Sequence, residues 1–201
     1  MEIDFQRWIS EFESQWEDQP IEYKSESGEW KEEHDLLFES MSTAIQSRGE
    51  ISVDELQRIS QWKVQGKRND SNINQNNDRE VERRSRAALE ASSDVEAIEE
   101  LTELSGVGVP MASTVLTVAD PSHYAIIDYR AFRGLAAAKP ELIESDGYAT
   151  LAEFMGHFRT YLRKAEAYAF YMEHVREIAE TEDLSPREVD IALWAFDKVE
   201  A

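Results

Sequence analysis

The sequence predicts an all-α protein, and three observations carry that prediction. Apolar residues recur at helical spacing, as Phe5, Trp8 and Phe12 do near the start of the chain. Breaking residues such as Gly49 and Pro121 separate these stretches. Several of the stretches begin with Ser or Thr three residues before Glu, the pattern of a helix capping box. These starts are Ser52 with Glu55, Ser93 with Glu96, Thr150 with Glu153, and Ser185 with Glu188.

Taken in order, the first predicted helix spans residues 3–16 and the second spans 30–48, with a polar connector around Pro20 and Gly28. Residues 65–78 are polar and poor in apolar side chains, which predicts a long loop. A loop of that length in a compact domain is either disordered or functional.

The C-terminal part is predicted to hold a long helix over residues 151–180 and a last helix over 186–199. The chain has 201 residues and is 41% hydrophobic, enough for one sizeable core. We therefore expect a single unit, a helical bundle of two lobes. One lobe covers about 50–145 and includes a helical hairpin at 94–119, and the other is built from 1–49 and 146–201.

The hairpin contains the most informative stretch of the chain. A Gly106-Val107-Gly108 turn joins two apolar helices, and two glycines leave its backbone bare. The N–H groups of Gly106, Val107, Gly108 and Val109 can then point at one anion, such as a phosphate of a DNA backbone. The alternative is that the turn only lets two helices pack closely.

A single carboxylate follows the hairpin. Asp128 comes after the short apolar run of residues 125–127 and opens a third helical stretch. The ordinary role of an aspartate at this place is to cap the helix that it precedes. A catalytic role is the second interpretation.

Together these features resemble the helix-hairpin-helix DNA glycosylases of base-excision repair. The resemblance rests on Leu104 with the Gly-Val-Gly turn, on Ala112, and on Asp128 followed by Phe132 and Arg133. It covers residues 94–135 closely and the flanking helices only in outline. It implies cleavage of an N-glycosidic bond in DNA, with Asp128 stabilising an oxocarbenium-like transition state and orienting a water. It also implies that the target nucleotide is extruded from the duplex.

The chain departs from the family pattern in two ways. Pro110 stands where bifunctional members carry a lysine nucleophile, so the resemblance implies a monofunctional enzyme unless Lys63 replaces that lysine. For Lys63 we expect a surface position or a phosphate contact instead. The chain has no cysteine, which excludes the iron–sulfur cluster of some relatives. The resemblance further suggests a K⁺ or Na⁺ ion on the hairpin carbonyls of Thr102, Leu104 and Val107.

Aromatic and polar side chains supply candidates for a base pocket. Trp62, Lys63, Tyr124 and Tyr129 could contact an extruded base, and the alternative for each aromatic ring is core packing. Side chains of the polar 65–78 stretch could fill the gap that the base leaves. The candidates are Gln65, Asn72, Asn74 and Gln75.

The charge argues against a typical DNA-binding protein. Aspartate and glutamate total 42 against 21 lysines and arginines, a formal net charge of −21. A DNA-binding protein ordinarily shows a basic footprint. An acidic surface fits a protein from a salt-saturated cytoplasm, where charges are screened, and the competing inference is that DNA is not the ligand. Basic residues that could still line a cleft, or pair with glutamates, are Lys63, Lys67, Arg68, Arg79, Arg83, Arg84, Arg86, Arg130 and Arg133.

We expect a cytoplasmic protein without disulfides, membrane segment or catalytic metal. The leading interpretation is a DNA glycosylase that removes a damaged or mismatched base. The alternatives are a non-catalytic DNA-binding protein of the same fold and a helical protein-interaction module.

Overall fold

The computed structural model describes residues 3–16, 21–24, 30–33, 37–145 and 147–200. Within these ranges the chain is helical apart from one short antiparallel pair of strands, so the all-α prediction is confirmed. None of the described helices is both long and apolar enough to cross a bilayer. The helices are α1 (Phe5–Gln15), α2 (Leu37–Arg48), α3 (Val53–Val64), α4 (Asp70–Ile73), α5 (Asp78–Leu89), α6 (Asp94–Thr102), α7 (Val109–Ala119), α8 (Tyr129–Ala138), α9 (Glu141–Ser145), α10 (Leu151–Tyr161), α11 (Ala165–Glu182) and α12 (Pro186–Glu200).

The strands correct the prediction of a connector followed by a helix from residue 30. Strands β1 (Ile21–Lys24) and β2 (Trp30–Glu33) pair antiparallel, with Ile21 opposite Glu33 and Lys24 opposite Trp30. In β1 apolar Ile21 and Tyr23 alternate with polar residues, and this period of two favours a strand. The second helix therefore begins only at Leu37.

Two more boundaries differ from the sequence prediction. The polar 65–78 stretch is not one long loop, because it contains α4, whose Ile73 is fully buried. The helix predicted over 151–180 is two helices, since Lys164 between α10 and α11 has extended dihedrals of φ −108° and ψ 145°. No proline or glycine marks that break in the sequence.

The predicted helix starts are found, with one variation. At Ser52 and Ser185 the serine and the glutamate three residues later exchange hydrogen bonds as a capping box requires. At Ser93 and Thr150 the hydroxyl caps the helix, but the glutamate accepts from the amide one residue earlier. Each start still satisfies amides that a helix leaves unpaired.

Two helices organise the interior. α7 is buried on all sides except at Pro110 and lies against α2, α3, α6 and α11. α12 packs against α1, α8 and α11. At the α8–α12 crossing, a Cβ on Gly134 would lie 2.4 Å from the carbonyl oxygen of Leu193, so this approach requires glycine. The buried apolar side chains form one cluster that runs through both predicted lobes, and the division into lobes stays a prediction.

Candidate functional site

The turn between α6 and α7 has the open backbone that the sequence predicts. Gly106 adopts φ +79°, and Gly108 is the exposed N-cap of α7. The Val107 amide donates to the Leu104 carbonyl at 3.1 Å, so it is not available to an anion. The amides of Gly106, Gly108 and Val109 donate to no acceptor among the described residues. Three of the four predicted phosphate donors are therefore unpaired.

Space around the two glycines differs sharply. A Cβ on Gly106 would lie 2.8 Å from Cβ of Asn72 and 3.1 Å from Oδ1 of Asn69. A Cβ on Gly108 would meet nothing within 4 Å. Gly106 is thus required by packing, whereas Gly108 leaves a face of the turn open.

Asparagines from the predicted loop brace this turn. Asn69 Nδ2 donates to the Gly106 carbonyl at 3.0 Å and to Ser60 Oγ at 3.0 Å. Asn76 accepts from the Ser105 amide at 2.8 Å and donates to the Ser105 carbonyl at 3.0 Å. Sequence reasoning did not assign this role to the asparagines. The four gap-filling candidates, Gln65, Asn72, Asn74 and Gln75, are exposed, and their role stays a prediction.

Asp128 combines the two roles that the sequence left open. Its Oδ1 accepts from the amides of Arg130 and Ala131, both at 2.9 Å, and so caps α8. Its Oδ2 lies 3.5 Å from Nζ of Lys63 on α3. The Asp128 side chain is 27% exposed and that of Lys63 is 16% exposed. Lys63 is therefore less of a surface residue than expected, and one carboxylate oxygen stays outside the helix cap.

Buried side chains from three helices fix the segment that leads to Asp128. Residues 125–127 have no strand partner, so their polar backbone groups need other contacts. Tyr168 of α11 donates its hydroxyl to the Ala125 carbonyl at 3.2 Å. The Ile126 amide donates to Asp190 of α12 at 2.7 Å, and the Ile127 amide donates to Ser113 Oγ of α7 at 3.2 Å. Asp128 is consequently presented by a rigid support.

An aromatic pair lies beside Lys63. The half-buried ring of Trp62 meets Phe38 of α2 edge to face, with centroids 5.5 Å apart. The guanidinium of Arg187 lies over the other ring, 4.7 Å from the Phe38 centroid. Sequence reasoning named Trp62 but missed Phe38 and Arg187. Their only sequence signal is the residue type, because the contacts join α2, α3 and α12.

The two tyrosine candidates contact other side chains. Tyr124 packs against the ring of His123, and burial together with the nearby Asp94 carboxylate raises the pKa of its phenol. Tyr129 is 38% exposed directly after Asp128, with the Arg133 guanidinium 5.8 Å from its ring centroid. The structure thus brings Lys63 to Asp128, places Trp62 next to Lys63 along α3, and packs Tyr124 against His123.

A buried acidic residue lies behind the site. Asp190 is 2% exposed, and its Oδ1 accepts from Nη1 of Arg187 at 2.6 Å. Burial raises the pKa of this carboxyl to about 6, although Arg187, the Ile126 amide and Lys63 act in the opposite direction. Tyr171 is fully buried nearby, and its hydroxyl has no hydrogen-bond partner among the described residues. Burial and the Asp190 carboxylate raise the pKa of Tyr171 well above its usual value.

Most of the basic residues named from the sequence form ion pairs with acidic ones. Arg83 and Arg84 contact Glu80, and Arg86 contacts Glu50. Arg130 and Arg133 both hold Asp197 of α12, at 3.2 and 2.8 Å, and so attach α8 to α12. Arg68 and Arg79 are exposed and form no ion pair within the described ranges. Pairing with glutamates is therefore found for Arg83, Arg84 and Arg86, whereas Arg130 and Arg133 pair with an aspartate.

The turn and Asp128 are both attached to the end of α3. Asp128 reaches Lys63 directly, and Gly106 reaches Ser60 through the Asn69 side chain. Residues three apart lie on one helix face, so the two attachments are neighbours. A cavity of about 520 Å³ lies elsewhere, at the other end of α8 beside Ala138. A groove shared by the turn and Asp128 stays a prediction.

Within the described ranges no three His, Asp or Glu side chains are placed to hold a metal ion. Of the three carbonyls suggested for a K⁺ or Na⁺ ion, that of Leu104 already accepts from Val107, and the ion stays a prediction.

Comparison of the chain with protein-family models, with curated proteins and with solved structures finds no match. A function is therefore inferred from the contacts, distances and burial within the chain.

Proposed function

We propose that the chain is a monofunctional DNA glycosylase that hydrolyses the N-glycosidic bond of a damaged or mismatched base. The observation that carries the proposal is the division of labour at Asp128. One of its oxygens is committed to the helix cap, while the other faces the ammonium group of Lys63 at a partly exposed position. An aspartate that served only as a cap would not need the lysine beside its second oxygen.

The chemistry assigned to Asp128 follows from that arrangement. As the bond between C1′ and the base nitrogen breaks, positive charge develops on the sugar, and a fixed carboxylate oxygen stabilises it. A water then attacks C1′, and Asp128 orients it or accepts its proton. The base leaves with the electron pair of the broken bond. Trp62 and Phe38 offer aromatic rings against which an extruded base can stack.

The turn supplies the DNA contact in this proposal. The unpaired amides of Gly106, Gly108 and Val109 lie at the N-terminus of α7, where the helix dipole favours an anion. Such directional hydrogen bonds do not depend on counterion release, so they suit a protein with a net charge of −21. Molar potassium chloride would screen repulsion between this acidic surface and DNA.

The pairing of arginines favours a second candidate, a non-catalytic protein that binds DNA or another protein. Arg83, Arg84 and Arg86 are occupied by glutamates, which leaves little basic surface for a duplex. In that case Lys63 and Asp128 form only a structural ion pair. The two candidates differ in whether an abasic product forms.

The test is base release from a panel of lesion-bearing duplexes in molar potassium chloride, followed by alkali to reveal abasic sites. Asp128→Asn is the matched variant, because asparagine also caps helices well and its oxygen can accept from the same amides. We expect the melting temperature to stay within a few degrees of wild type and the DNA affinity to stay within about threefold. Base release should fall by at least about 100-fold. Equal base release by the variant, or no release of any base by wild type, would exclude the proposal.

A borohydride arm separates hydrolysis from lyase chemistry. Hydrolysis leaves no covalent bond between protein and DNA, so reduction during the reaction should trap no complex. A trapped complex that maps to Lys63 would show that its amine, 3.5 Å from Asp128 in this structure, attacks C1′. That result would replace water by lysine as the nucleophile and leave base release standing.

A further inference from the structure

The Asp190 carboxylate accepts two hydrogen bonds, which come from two different parts of the candidate site. Its Oδ2 accepts from the Ile126 amide at 2.7 Å, two residues before Asp128. Its Oδ1 accepts from Arg187 at 2.6 Å. A buried carboxylate on α12 therefore contacts both the segment that presents Asp128 and a cation that continues toward α2.

The branch through Arg187 reaches the aromatic pair. Arg187 covers the Phe38 ring at 4.7 Å, and Phe38 meets Trp62 at 5.5 Å. The residue after Trp62 is Lys63, whose ammonium lies 3.5 Å from Asp128. One branch runs from Asp190 through Ile126 and along the chain to Asp128. The other runs through Arg187, Phe38 and Trp62 and along the chain to Lys63, so the two branches meet at the Lys63–Asp128 ion pair.

We propose that Asp190 is the positioning residue of this site, which holds the Asp128 carboxylate and the Phe38–Trp62 pair in a fixed relation to each other. This inference rests on the proposed glycosylase function. Asp190 does not touch the reacting atoms, and it acts through Ile126 on one side and Arg187 on the other.

The carboxylate form is needed for both branches at once. A carboxylate is acceptor-only, so it can serve the Ile126 amide and the Arg187 guanidinium simultaneously. An asparagine could still accept from Ile126, but its amide group would then face a guanidinium that also only donates. Loss of the charge therefore breaks the Arg187 branch and spares the other.

The surroundings of Asp190 give this device a pH dependence. The groups that face it are Lys63 on α3, Asp128 at the start of α8, Tyr171 on α11 and Arg187 on α12. On the side of α1, the Phe12 ring lies 5.9 Å from the Arg187 guanidinium. Because burial raises the pKa of Asp190 to about 6, the carboxyl gains a proton and loses its charge as pH falls through that value.

The first experiment compares single-turnover base release by wild type and Asp190→Asn from pH 5 to 8. Asparagine resembles the protonated acid, so we expect the variant to be about 30-fold slower at pH 8, with DNA affinity within about threefold. The ratio of the two rates should fall toward one below about pH 6. The ratio cancels titration of groups common to both proteins, and a ratio that does not change with pH would overturn the proposal.

The second experiment needs no activity. Amide hydrogen exchange is followed in peptides covering residues 124–131 and 37–45 of Asp190→Ala, with Ser113→Ala as the matched control. Ser113 Oγ accepts from the Ile127 amide and donates to the Pro110 carbonyl of its own helix. Of the two peptides it hydrogen-bonds the first, so its loss should raise exchange in that peptide alone. Asp190→Ala should raise exchange in both by about tenfold or more. If Asp190→Ala does not fold, Asp190→Asn should raise exchange in the 37–45 peptide alone.

The two experiments separate the inference from the function on which it rests. Absence of base release by wild type would exclude the glycosylase. The exchange experiment would then test only whether Asp190 couples residues 124–131 to residues 37–45. Unchanged exchange at 37–45 in a folded Asp190 variant would show that the two sides are not coupled through Asp190. Base release that is present but insensitive to Asp190 would exclude the positioning role and keep the enzyme.

Discussion

The glycine pair of the α6–α7 turn gives a prediction in which stability and binding separate. Gly106→Ala places a methyl group 2.8 Å from Cβ of Asn72 and forces alanine to φ +79°. The left-handed conformation costs a non-glycine residue about 1–2 kcal/mol, and overpacking costs about 1–3 kcal/mol more. We therefore expect a loss of about 2–5 kcal/mol, which for a chain of this size lowers the melting temperature by about 4–20 °C.

Gly108→Ala is the matched control two residues away. A Cβ at Gly108 meets nothing within 4 Å, and its φ of −96° suits any residue. Replacing glycine by alanine at an N-cap costs about 0.5–1 kcal/mol, so the melting temperature should fall by no more than about 4 °C. The bulkier Gly108→Leu fills the open face beside the free amides and should weaken DNA binding at least about tenfold, or 1.4 kcal/mol.

The assays are thermal unfolding by circular dichroism and fluorescence anisotropy with a labelled duplex, both in molar potassium chloride. Gly106→Ala with the melting temperature of wild type would show that the Asn72 contact is not rigid and that the packing argument is wrong. Wild-type affinity in Gly108→Leu would show that DNA does not approach the amides of this turn. Either result can occur without the other, so packing and recognition are tested independently.

Two further predictions concern the support of the site. Gly134→Ala would place a Cβ 2.4 Å from the backbone oxygen of Leu193, so α8 must move away from α12, and denaturant unfolding should show a loss of about 3 kcal/mol or more. Asp190 has a pKa of about 6 in the folded state against 3.8 for an unburied aspartate, so the folded state binds its proton more readily, and the stability that this group contributes rises as pH falls from 6 to 3.8. Relative to Asp190→Asn, wild type should gain up to roughly 3 kcal/mol of unfolding free energy across that window, and an equal pH dependence of the two proteins would contradict the assigned pKa.

The helix starts could be predicted from the sequence because the residues that form each capping contact are close neighbours along the chain. The capping serine Ser52 and the glutamate three residues later form one turn, so their spacing alone specifies a helix start. The aspartate at 128 likewise caps α8 through amides two and three residues away. The β1–β2 pair was missed because a four-residue alternation is short beside the helical periodicity on either side.

The contacts that build the candidate site could not be predicted in the same way. Asp190 and Ile126 are 64 residues apart, and helical periodicity does not show which segments of the chain contact each other. One signal was present: Asp190 and Asp197 lie seven residues apart within the apolar stripe of α12, where Leu193 is fully buried. Carboxylates in an apolar stripe need charged partners, which here are Arg187, Arg130 and Arg133.

The distribution of charge shows how an acidic chain could still accept DNA at this place. Around Asp128, the carboxylates of Asp128, Asp190 and Asp197 are matched by the ammonium of Lys63 and three guanidinium groups. Those groups belong to Arg130, Arg133 and Arg187. These four basic side chains and three carboxylates sum to a charge of +1, whereas the whole chain carries −21. The excess of acid lies outside this set of residues, and at molar salt its charge is screened beyond about 3 Å. Low salt should consequently weaken DNA binding by this protein, the reverse of the usual behaviour of a basic DNA-binding domain.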